Sequence, residues 1–302
     1  MVDSKLDTAR VMGPVLGGLV VTADLDALVS AYTDHLQMHV TAQGPVPAAL
    51  LAGWNMPALK NCRYAMLESA TGRRWLRVVE QVGIPQAEPI SSFGWMSLEV
   101  LVEDVFALAK KLEDSPFRFI GPPRELDVSG GISACQVVGP AGEVLYLTTV
   151  LKPAPPAELP IAQAEVDHLF IPVLAVPDRQ KAIDFYSDLA NSKADKFDMR
   201  VTVVNRALGK PIERKLPIST IQLNDKSLIE IDQIEEFSSR EVLPSGLVGG
   251  VAAVSFVVDS LDRLRDHAIA GTYKIDNPFY QGREAMLMRS PTGELVEFVA
   301  AS

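Results

Sequence analysis

Apolar and polar positions alternate along this chain in a pattern that repeats. LGGLVVTA (16–23) is a Val-rich strand, and Asp24 follows it as a cap for the helix DLDALVSAYTDHL, in which Leu25, Leu28, Val29 and Tyr32 recur at helical spacing. The strand RWLRVVEQ (74–81) closes this first unit. A second unit reads as the strand SLEVLVE, the helix DVFALAKKLED and two strands, ISACQVV and EVLYLTTV, joined by the turn GPAG. A third reads as LFIPVLAV, the helix DRQKAIDFYSDLA, and strands at RVTVVNR, STIQL and SLIEIDQI. A fourth reads as VAAVSFVV, a helix over SLDRLRDHAIA, and strands at EAMLMRS and ELVEFVA.

The units form a repeat. TADLDALVSAYTDHL (22–36) places Asp24, Tyr32 and Asp34 at the spacing of Asp178, Tyr186 and Asp188 in AVPDRQKAIDFYSDL (175–189). GISACQVVGPAGEVLYL (131–147) aligns without gaps on GREAMLMRSPTGELVEF (282–298). Repetition at this length means duplicated architecture. Between the halves, LKPAPPAELPIAQ (151–163) holds four prolines and reads as a stiff linker. The expected organisation is therefore an N-terminal domain over 1–150, a linker over 151–163 and a C-terminal domain over 164–302. One stretch, PVPAALLAGWNMPALKNC (45–62), has no counterpart in the other units. It is too apolar to be free in water and is expected to be a lid over the first half's binding face or a domain interface.

These elements resemble the vicinal oxygen chelate superfamily, which includes glyoxalase I, bleomycin-resistance proteins and extradiol dioxygenases. The most specific segments are AVPDRQKAIDFYSDL and SPTGELVEF, and the resemblance covers nearly the whole chain. It implies an α+β fold of two tandem domains. Each would pair two βαβββ modules into a curved mixed sheet, with helices on the convex side and a ligand, often with a divalent metal, on the concave side.

Strand alternation sorts the side chains of each closing strand. Ile229 and Ile231 should pack on helices while Leu228, Glu230 and Asp232 face the cup; Val296 and Phe298 should pack while Leu295 and Glu297 face it. Arg77 and Tyr146 are the corresponding cup residues of the first half. The resemblance puts the family's metal ligands at Arg77, Tyr146, Glu230 and Glu297 on closing strands, and at Gly17, Ser97, Ile171 and Ala253 on first strands. Only the two Glu bind a metal well, and His168 joins them only through a bulge. The expectation is thus no cofactor, the alternative being a divalent Fe, Mn, Zn or Ni on Glu297, Glu230 and His168.

Composition narrows the partners. The chain of 302 residues is 48% hydrophobic, with a formal net charge of −10 and no dense Lys/Arg block. Neither a nucleic acid nor an anionic membrane suits it. The N-terminus has no apolar core of signal-peptide length, so a cytoplasmic protein is expected. The two cysteines, Cys62 and Cys135, lie in no metal-ligand spacing and read as reduced core residues.

The expected function is binding of a small oxygenated, conceivably aromatic, molecule with lyase- or isomerase-type acid/base chemistry by Glu297, Glu230 or Tyr146. Arg77, Ser97, Arg283 and Arg124 are the candidate substrate contacts. Glu230 and Glu297 are expected to meet the same guest and to raise one another's pKa. The alternatives are a non-catalytic sequestering protein of the bleomycin-resistance kind and a metal-dependent dioxygenase or glyoxalase-like enzyme using the C-terminal half. A homodimer is a further expectation, through exposed strand edges or the 45–62 segment.

Overall fold

The computed structural model describes residues 9–126, 131–153, 155 and 157–302. The N-terminal residues 1–8, read above for a targeting signal, and positions 154 and 156 of the linker lie outside the described residues.

Four βαβββ-type modules follow one another. The first holds β1 (Met12–Thr22), α1 (Leu25–Leu36), β2 (His39–Pro45), a short inserted helix α2 (Ala48–Trp54), β3 (Arg63–Glu68) and β4 (Leu76–Glu80). The second holds β5 (Gly94–Val102), α3 (Val105–Lys111), β6 (Arg118–Glu125), β7 (Ile132–Val138) and β8 (Val144–Val150). The third holds β9 (Val166–Val176), α4 (Arg179–Ala190), β10 (Ala194–Arg200), α5 (Thr202–Ala207), β11 (Lys215–Gln222) and β12 (Leu228–Gln233). The fourth holds β13 (Gly250–Val258), β14 (Ala268–Lys274), β15 (Glu284–Arg289) and β16 (Leu295–Ala300).

The helices start where the sequence places their caps. Asp24 accepts from Ala27 N at 3.0 Å, Asp104 from Phe106 N at 2.9 Å and Asp178 from Gln180 N at 2.9 Å. Each satisfies a backbone donor that the first helical turn leaves unpaired.

The fourth module departs from the expected pattern. SLDRLRDHAIA is not a helix; it forms turns and one 3₁₀ turn over Arg265–His267. The strand β14 claims the chain from Ala268 onward by pairing with β15. The third module departs too, since RVTVVNR splits into the end of β10 and the helix α5. The buried Asn205 side chain ties that helix down by donating to the carbonyls of Ile212 and Arg214, and Val203 and Val204 become an apolar cover.

The strands make two eight-stranded mixed sheets of two modules each, with orders β14-β15-β16-β13-β1-β4-β3-β2 and β10-β11-β12-β9-β5-β8-β7-β6. Each sheet draws one module from each half of the chain. The first module joins the fourth through the antiparallel pair β1–β13, and the second joins the third through β5–β9. The Pro-rich segment between β8 and β9 thus connects neighbouring modules of one sheet rather than two independent sheets. On their helix-bearing faces the sheets share one core that includes Val20, Trp75, Leu98, Leu174, Phe256 and Phe298. The opposite faces are two cups with separate apolar linings.

Two equivalent contacts lock the sheets together. Tyr32 on α1 donates to Glu143 Oε1 at 2.9 Å, and Tyr186 on α4 donates to Glu294 Oε1 at 2.6 Å. Each joins a first-helix tyrosine in one sheet to the Pro-x-Gly-Glu turn in the other. The repeated tyrosine and repeated glutamate of the sequence are two ends of one bond. Tyr186→Phe would leave the enclosed Glu294 carboxylate short of a donor. We expect that variant to lose about 1–3 kcal/mol, read from urea denaturation with an unchanged m-value.

Candidate active site

The cup of the first and fourth modules is filled by the chain itself. Helix α2 and the 3₁₀ turn Pro57–Leu59, both from the 45–62 segment, place Leu50, Trp54, Met56 and Leu59 in its lining. The lid expected from the sequence is therefore present, and it is seated inside the cup. Gly53 allows the close approach: a Cβ there would fall 2.0 Å from the Tyr273 ring.

Under this lid lies a closed polar network. Arg77 on β4 and Glu297 on β16, both fully buried, form an ion pair at 2.8 Å. Glu297 also accepts from Ser255 at 2.5 Å, Tyr280 at 2.9 Å, Trp54 Nε1 at 3.2 Å and Tyr273. Arg77 reaches Tyr280 and Ser255, and its guanidinium carbon lies 4.3 Å from the Phe279 ring centroid. Burial alone would raise the Glu297 pKa, but the Arg77 charge and the hydroxyl donors outweigh it and hold the pKa below the usual value. A carboxylate so fully paired and covered is a structural group, with no lone pair left for a ligand.

The cup of the second and third modules is open. A cavity of about 450 Å³ is lined by residues that include Glu99, Tyr146, Thr148, Ile171, Val203 and Glu230. Its floor is acidic. Glu99 on β5 accepts from Thr148 at 2.6 Å, and its carboxyl is pushed up to about 8 by burial first and by the charge of Glu230 next. Burial, the Asp232 charge and a hydrogen bond shared with Asp232 raise Glu230 well above the carboxylate range. Asp232, two residues on and fully enclosed, is raised to about 7, mainly by burial. Among the described residues, neither Asp232 oxygen has a well-formed hydrogen-bond donor. Tyr146, only 7% exposed, brings a hydroxyl with no well-formed hydrogen bond in the protein.

The expected side-chain alternation holds except that Asp232, expected to face the cup, is fully buried and not part of the cavity lining. Ile229, Ile231, Val296 and Phe298 pack in the helix-side core, while Leu228, Glu230, Leu295 and Glu297 face the cups. The expectation that Glu230 and Glu297 share a guest does not hold, because β12 and β16 lie in different sheets. The structure brings together Glu230, Tyr146 and, at the solvent side of the same cavity, Arg124. Ser97 is buried beside Tyr146 without a full hydrogen bond. Arg77 is sealed in the other cup, and Arg283 donates to the carbonyls of Tyr280 and Phe279 in a loop of the first-and-fourth-module sheet. His168 Nδ1 is 2.8 Å from Asp167, which also accepts from Thr71 and from Gln163 N. Glu99 is the residue that the sequence reading passed over. It lies two positions beyond Ser97 on one strand, so alternation alone could have found it.

The side chains present do not fit a divalent metal. Glu297, Glu230 and His168 are not brought together, and among the described residues no three His, Cys, Asp or Glu converge as ligands. At the fold's metal-bearing positions the open cup has Ser97, Tyr146 and Ile171 beside Glu230, a poor donor set. Among the described residues, no helix is long and apolar enough to cross a membrane.

No protein-family model matches the sequence, and no curated protein matches it. Solved structures do share its fold. Glyoxalase I from Zea mays aligns with a TM-score of 0.63 at 14% identity, covering 95% of this chain and 92% of that one. A candidate dioxygenase from Bacillus subtilis aligns with a TM-score of 0.63 at 11% identity, covering 97% and 86%. At such identities the likeness is one of fold.

The two cups predict opposite responses. Glu297→Gln would strand the buried Arg77 charge and should cost about 3–5 kcal/mol in denaturant unfolding. With folded-state pKa values above those of the unfolded chain, Glu99 and Asp232 favour folding below the ordinary carboxylate range. That contribution fades as pH rises through about 7 to 8. Stability should therefore fall from pH 5 to pH 8.5 by more in the native protein than in Glu99→Gln, measured by chemical denaturation at both pH values.

Proposed function

The chain has the vicinal oxygen chelate fold, and from that premise we propose an enzyme that takes a small oxygenated organic molecule into the cup of its second and third modules. The reaction is a proton transfer of lyase or isomerase type, run by the chain's own carboxyls. The observation that carries this reading is the pair Glu99 and Glu230 on the floor of a cavity of about 450 Å³, with the fully buried Asp232 acting on Glu230 from outside the lining.

Three carboxyls held this close titrate together. Near neutral pH such a unit keeps a proton that it can give and a carboxylate that can take one, which is what acid/base catalysis requires. Glu230 and Glu99 line the cavity and would contact the substrate. Asp232 sits behind Glu230 and sets how strongly Glu230 holds its proton. The Tyr146 hydroxyl, which makes no well-formed hydrogen bond among the described residues, orients the substrate's oxygen or supplies a proton to it. Val203 of α5 lines one side and helps exclude water, which strengthens each of these interactions.

A second reading is sequestration without chemistry, supported by the predominantly apolar wall formed by residues such as Ile171, Leu228, Met199 and Val203. Screening of small oxygenated compounds by thermal shift, followed by mass spectrometry of the incubated hits, separates the two. On the enzymatic reading, a hit is converted. Glu230→Gln then lowers turnover by about 100-fold or more while still binding, and Val203→Trp loses binding. A hit that binds tightly and returns chemically unaltered supports sequestration instead. Hits indifferent to Val203→Trp would remove this cup from consideration.

A further inference from the structure

The two cups are built on equivalent positions and differ in how their charges are balanced. Arg77 pairs in register with Leu19 as Glu230 does with Val173, and Glu297 pairs with Ser255 as Tyr146 does with Glu99. In the closed cup the four cup-floor positions hold one cation and one anion, joined at 2.8 Å. In the open cup Glu230 stands at the position of Arg77, Glu99 at that of Ser255, and Asp232 lies behind. Among the described residues, the charges that act most on Glu99, Glu230, Asp232 and Tyr146 are one another's, all acidic. The basic side chains among the described residues lining this cavity are Arg124, which is exposed, and Arg200, which pairs with Glu213 at 2.7 Å.

A second observation marks the floor as a place for a ligand. Tyr146 lines the cavity with a hydroxyl that makes no well-formed hydrogen bond among the described residues, although the residue is only 7% exposed. We infer that the ligand of the open cup carries an organic cation, a protonated amine on an apolar body, which seats against Glu99, Glu230 and the Tyr146 oxygen. An alkylammonium has three donors for these three acceptors, and the cation restores the balance that Arg77 provides in the other cup. A metal ion is the poorer occupant, since the described acidic groups do not converge as ligands. The apolar wall above the floor calls for a carbon skeleton attached to the charge.

This inference rests on the proposed cup being the binding site, and the test keeps the two apart. Phenethylamine, 2-phenylethanol and 3-phenylpropionate share a ring and chain and differ in charge. Isothermal titration calorimetry at pH 7, in two buffers of different ionisation enthalpy, should show the amine binding at least about tenfold more tightly than the alcohol, with the carboxylate weakest. Amine binding should also release protons, because the ammonium favours the ionised form of carboxyls that otherwise hold theirs. The isosteric double variant Glu99→Gln/Glu230→Gln should bring the amine down to the level of the alcohol. Equal or tighter binding of the alcohol or carboxylate, no binding of any probe, or an amine preference that survives the double variant overturns the inference. So does MnCl2 alone releasing protons and blocking the amine. Alcohol binding lost in Val203→Trp would leave the cup standing without its cation, whereas amine and alcohol both indifferent to Val203→Trp would sink the cup itself.

Discussion

Everything in this molecule hangs on two antiparallel seams, β1 against β13 and β5 against β9. A single βαβββ module has an open edge at its first strand, besides the one at its second, and an apolar face that it cannot bury alone. Pairing first strands satisfies both needs, because the edge hydrogen bonds are made and the two half-sheets become one curved surface. With four modules the pairing could follow the chain order or nest. Here it nests, so the middle two modules form one sheet and the terminal two the other. Each cup is then lined by residues far apart in sequence. The reciprocal bonds from Tyr32 to Glu143 and from Tyr186 to Glu294 reach across between the sheets, which ties the helix side of the structure to the same arrangement.

Given two equivalent cups, their divergence follows from what was placed on the floor. The closed cup holds a buried ion pair, and such pairs lose much hydration on burial. Its carboxylate is retained in charged form by Arg77, Ser255, Tyr273, Tyr280 and Trp54, which is as many partners as a carboxylate can use. The lid residue Trp54 is part of that satisfaction, so filling the cup and neutralising its charge are one event. The open cup has no inserted helix like α2, and among the described residues no Lys or Arg forms an ion pair with its floor acids. Its acids meet burial in the other way available, by holding protons, and that leaves them chemically responsive.

Much of the architecture was legible in the sequence because it rests on local rules. The Asp24 and Asp178 caps, the strand alternation at 227–234 and 294–300, and the lid character of 45–62 all came from patterns a few residues long. What was not legible depended on which strands become neighbours. Glu230 and Glu297 have the same environment in a module and were assigned the same guest, yet nesting sends them to different sheets. Alternation from Ser97 puts Glu99 on the cup face, but its burial depends on β8 and β9 lying on either side of β5, which SLEVLVE by itself does not show. The missing fourth helix has a different cause, since Leu261 and Leu264 fit a helical turn while the strand pairing of β14 decides where that turn must end.

The contrast between the cups also bears on why a duplicated protein keeps both. An ion pair sealed under a tryptophan is rigid and contributes a fixed wall to the shared helix-side core, through Trp75 beside Arg77 and Phe298 beside Glu297. A cluster of protonatable acids is energetically unsettled, and in isolation it would weaken the fold as pH rises. Housing the unsettled cup back to back with the settled one lets a single core support both. The same core that makes the first-and-fourth-module sheet stable thus holds β5, β8, β9 and β12 in position while their acids stay unpaired, which is the condition a binding site for an outside group requires.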